Sequence, residues 1–145
     1  MREIKFRGKG IDGQWFYGSL FTFKTTSSIV TRPTEFHPVY SETVGMFTGL
    51  YDIDGKEIYE GDVLFSKDYP NSRMMVYWDD KDAAYRLVDP SDQSINCIDI
   101  LSVELNSWPY KVVGNIHDNP RFREVGYGLD STDYQKEEEE ENETD

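Results

Sequence analysis

Along most of this chain apolar residues recur at every second position, in short runs separated by turn-forming residues. A period of two marks strands with distinguishable faces. Residues 2–7 put Ile4 and Phe6 on one side and Lys5 and Arg7 on the other. Residues 14–23 are denser, with Trp15, Tyr17, Phe21 and Phe23 sharing one parity and Phe16 and Leu20 the other. Both faces of that strand are apolar, so it is expected to be covered on both sides or to lie at an interface, with Gly18 at a bulge or bend. Further strands are predicted over 28–32, 43–48, 62–67, 73–78, 84–89, 94–100 and 110–116.

The segments between them carry turn chemistry. Asp12-Gly13, Asp52-Ile53-Asp54-Gly55 and Tyr59-Glu60-Gly61-Asp62 place Asp where its side chain can bond a later backbone N–H, and Gly where the backbone reverses. Residues 33–43 contain Pro33 and Pro38 and read as a loop; 56–60 are too few for a helix. Residues 101–105 either continue the preceding strand past a kink or form a helical turn. Asp118-Asn119-Pro120 reads as a helix start, with proline at a first helical position. No long amphipathic stretch separates the strands, which argues against βαβ units. The prediction is an all-β fold with hairpin connections and a short C-terminal helical turn.

Composition changes this picture at one end of the chain. The 145 residues suffice for one domain or two small ones, and 14% of them are aromatic, which suits a packed body. The formal net charge of -13 is unevenly placed. Residues 1–33 hold six basic and two acidic groups, whereas residues 130–145 hold Lys136 against nine acids, including the run Glu137 to Glu141. Like charges that close repel, so 126–145 is expected to be a disordered acidic tail. The acidic balance disfavours direct nucleic-acid binding. A single cysteine, Cys97, permits no internal disulfide and favours a reducing, cytoplasmic compartment. No apolar run reaches membrane-spanning length, and the N-terminus lacks the apolar core of a signal peptide, so no membrane partner is expected.

The candidate chemical motifs all have plain structural readings. Gly8-Lys9-Gly10-Ile11-Asp12-Gly13 matches G-x-G-x-x-G, but a dinucleotide site needs a helix next and the strand Trp15-Phe16-Tyr17 follows. It is read as a hairpin loop. Asp52-Ile53-Asp54-Gly55 resembles the start of a calcium loop, but Lys56 and Glu57 stand where a further Asp or Asn and a glycine belong. It is read as a turn. His37, His117 and Cys97 lack metal-site spacing, and Cys97 between Ile95 and Ile98 reads as a buried thiol, although a Cys97–His117 pair would suit nucleophilic chemistry. Adjacent carboxylates such as Asp79 and Asp80 point to opposite faces of a strand. Trp15, Trp78 and Trp108 are either a binding platform or core and interface anchors. No residue is assigned as catalytic, cofactor-binding or metal-ligating, and no cofactor is expected.

Three segments resemble the YopX family, small proteins associated with bacteriophages, prophages and other mobile elements. They are the opening Met1-Arg2-Glu3-Ile4-Lys5-Phe6-Arg7, the central run from Thr48 through Asp52-Ile53-Asp54-Gly55-Lys56 to Val63, and the ending Val112-Val113-Gly114-Asn115-Ile116-His117-Asp118-Asn119-Pro120. The resemblance runs from residue 1 to about 125 and leaves the acidic end outside the family pattern. It implies small barrels of Src-homology-3-like type, with an N-terminal β segment over 1–43 and a C-terminal barrel domain over 44–125. It carries over no catalytic residue. The expectation is therefore an accessory protein of a phage or mobile element that acts by protein binding or self-assembly, its partner a second copy or a host protein. Two alternatives stand beside it: an acidic decoy for a host DNA-binding protein, and a hydrolase with an unrecognised site.

Overall fold

The computed structural model of the chain describes residues 1–90 and 96–123. The chain divides into two units: Met1–Tyr51 with Glu57–Glu60, and Asp52–Lys56 with Gly61 onward. Each is built on one antiparallel sheet.

The first unit begins with the strand pair β1 (Phe6–Lys9) and β2 (Trp15–Phe23). Gly10 donates its N–H to the Gln14 carbonyl at 2.8 Å, Gly13 donates to the Gly10 carbonyl at 2.9 Å, and the Asp12 carboxylate accepts from the Gln14 N–H. The hairpin loop the sequence suggested thus falls on the latter part of the glycine-rich run, while Gly8 and Lys9 belong to β1. β3 (Thr26–Arg32) and β4 (Glu35–Val39) extend the sheet on one side of β2. β5 (Gly45–Tyr51) and β6 (Glu57–Tyr59) extend it on the other side of β1, giving the order β4-β3-β2-β1-β5-β6.

Two of these strands fall where none was expected, and both are sheet edges. β4 lies in the expected loop 33–43, followed by a 3-10 turn at Ser41–Thr43. Its Pro38 lacks an N–H, which is tolerated here because the outer side of β4 bonds only at its end, where Val39 bridges Gly10 and the Tyr40 N–H donates to the Lys9 carbonyl. β6 has only three residues, a length at which sequence alone carries no strand signal. Residues 44–51 pair with β1 through Phe6↔Met46 and Arg7↔Gly45, so they sit in the first unit and not at the head of a domain beginning at 44.

The second unit orders its strands β10-β9-β8-β7-β11, where β7 is Asp62–Ser66, β8 Met74–Asp79, β9 Ala84–Val88, β10 Asn96–Ile100 and β11 Tyr110–Asn115. Residues after Ile100 form the helix α1 (Leu101–Ser107), which settles the choice between kinked strand and helical turn. Val63, Leu64, Val76, Leu87, Val88 and Leu101 are fully buried. Phe122, on the closing 3-10 turn Pro120–Arg123, packs on Val63 with Val113 and Ile116 beside it.

The all-β expectation holds, but neither sheet closes into a barrel among the described residues. Closure would require the edge strands to pair. In the second sheet the edges are β10, which pairs with β9, and β11, which pairs with β7, and no pairing joins the two among the described residues. Among the described residues no helix is long and apolar enough to cross a membrane. The expected acidic tail, 126–145, lies outside the described residues.

Candidate functional site

Alternation through β1 sets Arg7 on the face it shares with Trp15 and Tyr17, since Arg7 pairs with Tyr17 and Lys9 with Trp15, and Lys5, just before the strand, joins it there. Phe47 and Tyr59, a cross-strand pair of β5 and β6, join them from the other side. The result is a cluster of cations and rings. Arg7 is buried, its guanidinium 4.8 Å from the Trp15 ring centre and 5.0 Å from that of Tyr59, and it donates to the Glu60 carbonyl at 3.3 Å. Lys5 donates to Glu57 Oε2 at 2.5 Å and lies 5.4 Å over Phe47. The Tyr59 hydroxyl donates to Glu57 Oε1 at 3.1 Å, and Tyr17 meets the Tyr59 ring edge-on at 5.5 Å.

Lys5 pairs with an acid of the middle of the chain, Glu57. Arg7 is buried among rings as well, because a flat, weakly hydrated guanidinium can stack on aromatic faces while its edge finds a carbonyl. The pairing of Arg7 with the aromatic strand 14–23 was the signal that would have found this cluster, and it becomes visible only once the hairpin register is known.

Electrostatics holds the cluster in its protonated form. Burial pushes the Tyr59 phenol well above its ordinary value, and the negative charge of Glu57 adds to that. The hydrogen bond to Glu57 raises the Lys5 ammonium against the opposing effect of burial. A neutral phenol and a held ammonium are the reverse of what a nucleophile requires; the chemistry favours a cross-tie between β1 and β6.

The sign of the linkage follows. Both groups are raised on folding, so their stabilisation is full below their unfolded values and is lost as pH climbs through the folded ones. Melting temperature is expected to hold steady through neutral pH and to fall above about pH 10, where an unfolded tyrosine ionises. Tyr59→Phe keeps the ring and removes the phenol. It is expected to shallow that alkaline fall in a pH series of thermal melts; an unchanged alkaline limb would contradict the assignment.

Beyond Tyr17 the same face of the sheet runs onto β2, β3 and β4, and there it is open. Tyr17, Phe21, Phe23 and Phe36 are between 47% and 60% exposed, and Phe21 and Phe36 meet edge-on at 5.5 Å. The opposite face of this wing carries the buried Ile29 and Val39, with Phe16 stacked on His37 at 4.0 Å. Strand 14–23 was expected to be covered on both sides or to form an interface; this structure covers one side.

The other candidates resolve one by one. Asp52 is buried, and both its carboxylate oxygens are taken by backbone: Oδ1 accepts from the Asp54 and Lys56 N–H groups at 2.9 and 2.8 Å, Oδ2 from Val112 at 3.0 Å. Gly55 has φ +82°, the left-handed backbone that glycine adopts freely. This is a turn anchor, its carboxylate engaged by three backbone N–H groups. His37 belongs to the first unit and His117 to the second, where it approaches Gly61. The Cys97 side chain lies outside the described residues, so the Cys97–His117 pair does too. Asp79 binds Arg86 at 3.0 Å, and Asp82 binds the same guanidinium at 2.9 Å. The tryptophans stand apart as neighbours of different groups: Trp15 with Arg7, Trp78 edge-on to Tyr85 at 4.9 Å, Trp108 edge-on to Tyr69 at 5.0 Å. Among the described residues no cluster of three or more His, Cys, Asp or Glu side chains is arranged to hold a metal.

Fold and cluster together define a small all-β protein of two open antiparallel sheets, its first sheet tied by an arginine between aromatic rings. The opening strand, the Asp52 turn and the Asn115–Pro120 ending all lie in or beside the span that the YopX protein family matches, residues 5–123. The chain belongs to that family. No curated protein sequence matches it.

Proposed function

We propose that this protein is an accessory protein of a bacteriophage or mobile element, cytoplasmic in its bacterial host, that acts by protein binding and not by catalysis. The observation that carries this reading is the open aromatic wing of β2 and β4. Four half-exposed rings sharing one sheet face are more than scattered surface residues, and contiguous apolar patches of this kind mark interaction sites. Family membership supports the phage setting.

A second reading, the acidic decoy, is favoured by where the charge falls. The first unit has six basic and six acidic side chains, so the net -13 belongs wholly to the second unit, which has nine basic and 22 acidic. The two readings use different surfaces and respond oppositely to salt. Capture through the wing is expected to survive high salt and to be lost in Phe21→Ser/Phe36→Ser, whereas a decoy would lose its target as salt rises and ignore those substitutions. The measurement is capture on the tagged full chain, from host extract and from a second, differently tagged copy of the same chain. Retention untouched by the wing substitutions would overturn the first reading.

A further inference from the structure

We infer that the occupant of the aromatic wing is the same wing of a second copy of this chain, the two sheets packing face to face about a two-fold axis that runs across the strands. This rests on the binding reading above and names its partner.

Charge favours this occupant. The first unit is electrically neutral, while the second carries the entire -13. A strongly cationic partner would be drawn to the second unit, and a polyanion is repelled by the protein as a whole. A second neutral wing meets no net opposing charge where it docks.

The rim of the wing admits a reciprocal contact. Lys24 sits at the β2–β3 turn; Arg32 and Glu35, an exposed pair at 3.7 Å, sit at the β3–β4 turn, the opposite end of the same strands. A two-fold axis across the strands reverses their direction and brings Lys24 of each copy to the end where the other holds the Arg32–Glu35 pair, so that Glu35 is shared between two cations and the same contact recurs at both ends, as an isologous interface requires.

Geometry also closes the competing route. Sheets often associate by adding a strand at an edge. The wing's edge is β4, five residues long; its Pro38 has no N–H to give, and its end is already bridged to Gly10 through Val39. The face is left as the surface that can pair.

Area sets the strength. Half-exposed aromatic side chains offer about 100 Å² each, so four give roughly 400 Å² per copy and about 800 Å² in the pair. Stable complexes bury roughly 1,200–2,000 Å². The dimer is therefore weak and reversible, with a dissociation constant in the micromolar range or above.

Sedimentation of the full chain from low micromolar to submillimolar concentration tests this at low and high salt. The expected result is monomer at the dilute end and a growing dimer toward the concentrated end. The dimer should strengthen with salt, because screening relieves repulsion between two chains of net -13. Phe21→Lys is expected to weaken association about tenfold or more, and Phe21→Ser less, with far-UV circular dichroism unchanged in both. A chain that stays monomeric throughout overturns the inference, as does a dimer indifferent to Phe21→Lys. The two hypotheses remain separable. Monomer together with wing-dependent capture of a host protein, or of a single-stranded oligonucleotide, removes the second copy as occupant; the host protein leaves the binding reading standing and the oligonucleotide replaces it. Monomer with no wing-dependent capture at all ends both.

Discussion

Asp52→Ala is expected to cost the second unit about 3 kcal/mol, close to the upper end for a single polar residue. The side chain closes the turn through Asp54 and Lys56 and reaches the Val112 N–H on β11. Alanine leaves three N–H groups without this acceptor. Asp54 and Lys56 are exposed and can turn to water, so their loss is partly repaired. Val112 is half-buried and its acceptor comes from sixty residues away in sequence, so no local group replaces it. Asp52→Asn keeps one oxygen for the turn but aims an amide donor at another donor, and is expected to cost about half as much. Urea unfolding followed by circular dichroism measures the difference. Amide exchange supplies the local test: Val112 should accelerate most. A loss below about 1 kcal/mol, or unaltered exchange at Val112, would show that the turn closes without its carboxylate.

Gly18→Ala is expected to destabilise the first unit by a similar amount, about 3 kcal/mol, for a steric reason. A Cβ on Gly18 would overlap the Val30 carbonyl oxygen on β3 and lie 3.5 Å from Ile29 Cγ2. The carbonyl is backbone in a paired strand and cannot swing aside. β2 and β3 must separate, and the separation loosens the wing. Gly55→Ala is the informative control. A Cβ there meets no atom within 4 Å, so only the left-handed backbone opposes it, at about 1–2 kcal/mol. Equal losses for the two substitutions would mean that contact with Val30 is not what selects glycine at position 18. Of the bulge or bend expected at Gly18, no bulge is present: the pairing of β2 with β1 ends at Gly18↔Phe6 and its pairing with β3 begins at Ser19↔Val30, both without a shift of register.

Structure that is local is legible in the chain. Asp52 and Gly55 name their turn because a carboxylate two residues ahead of an amide, and a glycine able to take positive φ, are sufficient causes by themselves. β2, β7, β8, β9 and β11 were legible from alternation. The two strands that were missed, β4 and β6, are short edges whose existence depends on a neighbour. Pro38 looked like a breaker because the chain does not say on which side of a strand the sheet stops. Of the candidate site, the aromatic content of strand 14–23 was plain, but its role was not.

That division has a physical origin. The sequence by itself determined the alternating strands, the Asp–Gly turns, the acidic balance and the family, since each depends on residues within a few positions of one another or on order along the chain. Tertiary structure decided which parity is covered. It put Arg7 between Trp15 and Tyr59, tied Lys5 to Glu57 across 52 positions, and left Phe21, Phe23 and Phe36 open. Alternation distinguishes the two faces of a strand without saying what lies against either. That depends on segments distant in sequence, and here they cover one face of the β2–β4 wing and leave its aromatic face to solvent.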